Sequence, residues 1–335
     1  MILEGTGPTT GGSVDYSGGT NNADTSGELR YVRVEFAGFA TATDAELNAF
    51  TFAAVGSGTG VSHLQALSGL DDHFEFFGGA VDVSNLVSYE SGDDHFDMAE
   101  GYVGRMQNLI AFQSRVLIPR TGAGNVSQDP QGIENDGCNG AGCGNGQNSA
   151  PLNIPLVANF TLVGTGAGTG VDATTGGVGM MLRRGTGGYY LNGVVARWPR
   201  AAVSLRDQPT LNRAAAGELL LRNVLFAGNG TLFQAASGTT VQGTVDAAAN
   251  ALEQSGATAA SLFTAFPATV DASTTAAAFD WTPASGSPAA SGGLATFPDA
   301  AATRGGTVVA GTAYRGAANP SGPKWWAGWT VYAQN

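Results

Sequence analysis

DDHFEFFGG, residues 71–79, returns 22 residues later as DDHFDMAEG, residues 93–101. Asp71 maps to Asp93, Asp72 to Asp94, His73 to His95, Phe74 to Phe96 and Glu75 to Asp97. A strand-like run stands before each copy, HLQAL from His63 and NLVSY from Asn85. A repeat of this length is one coil of a solenoid, a unit that buries its apolar side only by stacking on its neighbours. Stacked strands lie roughly 4.8 Å apart, so the register lines up carboxylates and imidazoles in rows on one wall. Side chains alternate along a strand. If Phe74 and Phe96 face inward, Glu75 and Asp97 face solvent.

A second pattern marks the coils. Asn precedes an apolar, strand-like run at Asn85 (NLVSY), Asn108 (NLIAF), Asn159 (NFTLV), Asn192 (NGVVA) and Asn223 (NVLFA). This setting predicts equivalent inward corners and a ladder of amides, each bonding backbone or amide groups of its neighbours. The long gap between Asn108 and Asn159 holds a Gly/Asn-rich stretch at 119–150. It either projects from the wall or hides one irregular coil.

Composition narrows the class. Gly is 51 of 335 residues, charged residues are 13%, and the net charge is −12 with Lys324 as the single lysine. So acidic a chain repels phosphate backbones, which excludes a nucleic-acid partner. No apolar run is long enough for a transmembrane segment. The start, MILEGTGPTTGG, lacks the basic and apolar parts of a signal peptide. GTGAGTG (164–170) has no Lys-Ser/Thr after it and reads as a solenoid turn. Cys138 and Cys143, in CNGAGC, have no second Cys or His pair for zinc. They predict a local disulfide and an oxidising compartment.

The expected organisation is one domain. Residues 1–27 are an N-terminal lead-in, 28–235 are coils with the insertion near 119–150, and 236–335 are C-terminal coils and cap. The last part is rich in Ala, Gly, Ser and Thr, with a helix expected at 246–254. It ends in KWWAGWTVYAQN. Trp325, Trp326 and Trp329 are expected to cap the last open coil, or to form a platform for sugars.

GELRYVRVEFAG (27–38), AVGSGTGVSHLQ (54–65), the tandem DDHF block, LRRGT (182–186), FDWTPASGSPA (279–289), AYRGA (313–317) and WAGWT (326–330) together resemble one family. It comprises secreted or lipid-anchored proteins of Bacteroidota and related bacteria. Its fold is the all-β, right-handed parallel β-helix of pectate lyases. The resemblance implies an extracellular or outer-membrane surface location. It also implies strands ahead of ILEGT, so that the chain is a truncated or differently processed form.

The acidic block suggests chemistry. Asp71, Asp72, Glu75, Asp93, Asp94, Asp97 and Glu100 crowd one wall, and Glu134 and Asp136 join from the insertion. Carboxylates this dense raise one another's pKa or recruit a cation. Hard oxygen donors suit Ca²⁺, with Asp72, Asp94, Glu134 and Asp136 as ligands. In β-helix lyases such a wall holds Ca²⁺ against a uronate. By that resemblance His73 or His95 is the base that takes the C5 proton, and Arg184, beside Arg183, clamps the uronate. In β-helix glycosidases paired carboxylates act as acid and base, about 6.5–9.5 Å apart if inverting; the chain has acids enough for that too, with Glu75 and Asp97 the best candidates for a solvent-facing site. The bland readings are that the first Asp of each pair caps a turn and that the histidines have a surface or ladder role. The leading expectation is an extracellular protein that binds, cleaves or hydrolyses acidic polysaccharide or cell-surface glycan with calcium. The alternative is a non-enzymatic, adhesive and self-associating surface protein.

Overall fold

The computed structural model describes residues 1–10, 18–42, 46–124, 127–138, 140, 142–167, 176–235 and 241–333; of the GTGAGTG turn, only 164–167 fall within it. The chain alternates between two parallel sheets, adding a strand to each on every circuit: a parallel β-helix. The first sheet runs Ile2–Glu4, Phe50–Ala53, Phe74–Phe77, Phe96–Ala99, Ile133–Asp136, Val178–Arg183, Ala201–Leu205. The second runs Glu28–Glu35, Gly60–Leu67, Val83–Tyr89, Arg105–Phe112, Leu156–Val163, Val194–Ala196, Leu225–Ala227, Glu253–Ser255. Gly188–Leu191 and Leu219–Arg222 extend it beside Leu156–Val163. The insertion hides a coil, because Ile133–Asp136 pairs with both Phe96–Ala99 and Val178–Arg183. The expected lead-in contributes as well: Ile2–Glu4 pairs with Phe50–Ala53.

The Phe-x-Phe pattern drives the stacking. Phe50, Phe74 and Phe96 are fully buried and lie ring on ring, with centroids 5.0 and 5.5 Å apart. Phe52 stacks on Phe76 at 4.7 Å. The glycines closing each copy are required by close approach. A Cβ on Gly79 would lie 2.5 Å from the Val55 carbonyl oxygen, and one on Gly101 would lie 2.6 Å from that of Pro151. Phe74→Ala should cost about 3–5 kcal/mol, since it empties the middle of a ring stack that cannot collapse. Urea unfolding of the variant checks this.

The asparagines do share one corner, but they point the other way from the expectation. The register aligns Tyr31, His63, Asn85, Asn108, Asn159, Asn192 and Asn223 on successive coils. All seven have φ between 53° and 64°, the left-handed region that Asn tolerates best among residues with a side chain. The kink turns the side chain outward. Asn159 Nδ2 donates to Thr312 Oγ1 (2.8 Å) and the Gly316 carbonyl (3.1 Å). Asn192 Nδ2 donates to the Leu294 carbonyl and Asn223 Nδ2 to that of Gly292. The amides anchor the C-terminal segment more than they bond one another, although Gln107 Nε2 does donate to Asn159 Oδ1.

That segment runs back along the outside of the second sheet. Beyond the kink, Leu67, Val87, Tyr89, Ile110, Phe112 and Val163 face outward and are covered by Phe263, Phe279, Trp281, Trp326 and Tyr332. The Trp cluster therefore does not cap the last coil. Trp329 lies 5.8 Å from the rings of both Tyr31 and His63, on the first coils. Gln65 pairs with Val331 through both its amide atoms. An uncovered apolar stripe is a stronger demand than one open end. The helix expected at 246–254 is also absent. Asp246 Oδ1 accepts the N–H groups of Ala248 and Ala249, which fixes a turn, and Glu253–Ser255 joins the second sheet. After it, the expected C-terminal coils give way to this covering segment. Cys138 and Cys143 are joined, with Cα atoms 5.9 Å apart.

Candidate functional site

The outer face of the first sheet carries the acidic rows where alternation places them. Thr51, Glu75, Asp97, Glu134, Met181 and Ser204 are register partners on consecutive strands. Two residues along, Asp136 pairs in register with Arg183. Asp71–Asp72 and Asp93–Asp94 sit at the corner just before their strands.

At this corner the second Asp of each pair does the capping, not the first. Asp72 Oδ1 accepts the Asp94 N–H (2.8 Å), and Asp94 Oδ1 accepts the Gln131 N–H (3.0 Å). Gln131 Oε1 accepts the Val178 N–H (2.8 Å). This ladder ties each coil to the next and leaves Asp71 and Asp93 on the more open side.

Three trios bring carboxylate oxygens within 4.8 Å of one another: Asp71–Asp72–Asp93, Asp72–Glu75–Asp97 and Asp94–Asp97–Glu134. Burial comes first among the forces raising these pKa values. Asp97 is pushed up to about 6 against the pull of Arg183 and Arg184. Asp71 goes to about 7, with the Glu46 charge adding to burial, and Asp93 to about 8, with Asp71 and Asp129 adding. Asp72, Glu75 and Asp94 are raised well above the carboxylate range, by burial and then by neighbouring carboxylates. Asn48 Nδ2 donates to Glu75 Oε2. Asp97 Oδ1 is shut from solvent without a hydrogen-bond partner among the described residues.

Arginine closes the far end of the wall. Arg183 pairs with Glu134 and Asp136, and Arg184 pairs with Asp136. Asp136, an expected metal ligand, is thus claimed by two guanidinium groups and belongs to none of the trios. Glu134 keeps a place beside Asp94 and Asp97. Arg184 is set by its backbone, whose N–H donates to Asp207 Oδ2, and its side chain is 34% exposed. Glu100 lies at the other end of its strand, where its carbonyl accepts the Thr10 N–H.

His73 and His95 correct the base and surface expectations made for them and keep the ladder one. Each is fully buried, so neither faces the wall as a base nor lies on the surface. The Gly69 N–H donates to His73 Nε2 (2.9 Å), which leaves the ring proton on Nδ1. That proton goes to Ser88 Oγ (2.7 Å), and the hydroxyl then donates to His95 Nδ1 (2.5 Å). Burial lowers the pKa of both rings, His95 to about 3. They are neutral spacers in the core, because at the corner the side chain before each Phe also turns inward. Asn48, Glu46, Asp129 and Asp207 went unread in the sequence; none lies in a repeated motif.

A family model described as Pectate-lyase like beta helix domain matches residues 4–283. No curated protein and no solved structure matches the chain. No helix among the described residues is long and apolar enough to cross a membrane.

Proposed function

Because the chain belongs to the pectate-lyase-like β-helix family, we propose that it handles acidic polysaccharide at this wall, with calcium held by the carboxylate trios. One observation carries the reading. Asp71, Asp72, Glu75, Asp93, Asp94 and Asp97 share one face, and none forms an ion pair among the described residues. Six carboxyls without a direct ion-pair partner, with Arg183 and Arg184 acting from the far end on Asp97, hold protons or a cation. The unpartnered Asp97 Oδ1 and the all-oxygen donor set fit Ca²⁺. Asp72, Glu75, Asp94, Asp97 and Glu134 would hold it, and when bound it would neutralise a uronate carboxylate. Arg183 and Arg184 border the trios and orient an acidic sugar chain toward them. The disulfide supports an extracellular or outer-membrane surface location.

Cleavage is a second reading, and its chemistry shifts. A lyase base at His73 or His95 is excluded by their burial. Glu75 and Asp97 are register partners whose oxygens, with those of Asp72, come within 4.8 Å. One strand spacing, roughly 4.8 Å, separates register partners, nearer the roughly 5–5.5 Å of a retaining glycosidase pair than the roughly 6.5–9.5 Å of an inverting one. With both pKa values raised, one group would serve as acid and the other as nucleophile.

Polygalacturonate retention and product release, assayed with millimolar calcium and with chelator, test both readings. Calcium-dependent retention that disappears in Glu75→Gln/Asp97→Asn is the expected result. Reducing-end release abolished by the same substitutions would add hydrolysis. No retention under either condition would leave the adhesive, self-associating alternative.

A further inference from the structure

A second groove lies away from the acidic wall, between the corner that leads into the second sheet and the helix Asp299–Gly305. Its volume is about 770 Å³. One side is built from the same corner on successive coils: Asp82, Arg105, Ile154 and Tyr189. Including Ser57 on the coil before, it runs parallel to the solenoid axis for roughly 19 Å, at one strand spacing per coil. The other side is Ala300, Thr303 and Arg304.

The charge here is the reverse of the wall's. Arg105 is already matched, since its Nε and NH2 donate to the two oxygens of Asp82 at 2.8 and 2.5 Å. Arg304 is a second guanidinium beside it. Its NH2 donates to the Ile154 carbonyl (2.5 Å), and it has no carboxylate partner among the described residues. Burial first, and the Arg105 charge as well, work against its ionised form, while Tyr189, Tyr102 and the Asp82 carboxylate already matched to Arg105 act the other way. An anionic ligand would relieve both. In a chain of net charge −12, an unmatched arginine in a half-buried groove is selective for a ligand that brings its own carboxylate at close range. The groove's length suits a linear chain. Its alanine, valine and isoleucine surfaces suit the apolar faces of sugar rings, and the Tyr189 ring borders one end.

We propose that this groove, centred on Arg304, binds a short segment of a carboxylate-bearing oligosaccharide, separately from the cation-dependent wall. The inference rests on the carbohydrate reading above and adds a second, cation-independent subsite to it.

Calorimetry in the presence of chelator separates the two sites. Tetragalacturonate is the probe, and neutral cellotetraose is the control. Wild-type protein should bind tetragalacturonate and not cellotetraose. Arg304→Gln should weaken binding roughly tenfold or more, as loss of a charge-assisted contact does. Ala300→Trp fills the groove from an exposed helix position. It should block binding with an unchanged melting curve, which guards against a folding defect in the arginine variant. Glu75→Gln/Asp97→Asn should bind as wild type does. Absence of binding in chelator, or binding that both groove variants leave intact, overturns the proposal. Neither outcome touches calcium-dependent retention at the wall, so the two readings fail separately. Equal binding of cellotetraose would overturn the role of Arg304.

Discussion

Removing residues 324–335 should lower the melting temperature by about 10 °C, although the described residues of that segment contribute no strand to either sheet. Trp326 and Tyr332 are each only 4% exposed, and they lie over Tyr89, Phe112 and their neighbours on the outward stripe of the second sheet. Losing two such rings costs about 3 kcal/mol each in apolar burial. Trp325 and Trp329 add a smaller amount, since both are only partly covered. Polar contacts go too. Gln65 loses its two bonds to Val331, and the Tyr332 hydroxyl no longer donates to the buried Glu90. The truncated protein should also bind a hydrophobic dye along the uncovered stripe. A melting curve identical to that of the intact chain would mean that the stripe needs no cover.

The same segment shows where sequence reading stops. The tandem DDHF block was legible because a 22-residue repeat is local and alternation is rigid. It placed Phe74 and Phe96 inside and Glu75 and Asp97 outside, as they are in the folded chain. The inward turn of His73 and His95 was not legible, since alternation breaks at a corner. Nor was the ladder position complete. Tyr31 and His63 occupy the same left-handed corner as the five asparagines, but nothing in their side chains announces it. Ile133–Asp136 was hidden by the Gly/Asn-rich sequence around it, because four residues are too few to carry a period. The destination of the Trp cluster was beyond reach altogether. Contacts such as Gln65 with Val331 join residues 266 apart, and no local pattern encodes them.

Between pH about 6.5 and about 8.5, protein without a divalent cation should lose stability as pH rises, and calcium should restore it. Asp71 and Asp93 titrate at about 7 and about 8 in the folded protein, against about 3.9 in the unfolded chain. A raised carboxyl pKa means that the folded state holds more protons than the unfolded one. Its stability is complete below the unfolded value and is lost as pH climbs through the folded value. The buried histidines act in the opposite sense. His95, lowered to about 3, withdraws stability on acidification below the unfolded value of about 6.5. Up to about pH 7.5 the three histidines, all lowered by burial, still oppose the carboxyls, as does the Met1 amine, also lowered by burial; the raised carboxyls outnumber them and set the sign of the slope. Coupling among the carboxyls keeps the total on the order of a few kcal/mol. Calcium replaces the protons, so its stabilisation should be largest near the alkaline end and small near pH about 5, where it must compete with them. Glu75→Gln/Asp97→Asn removes two of the crowded charges. It should flatten the alkaline decline and remove most of the calcium gain together. Thermal melts over a grid of pH and calcium read both effects. A melting temperature that rises through this window, or a calcium gain as large at pH about 5 as at pH about 8, would mean that the carboxyls are ionised and balanced by some other charge.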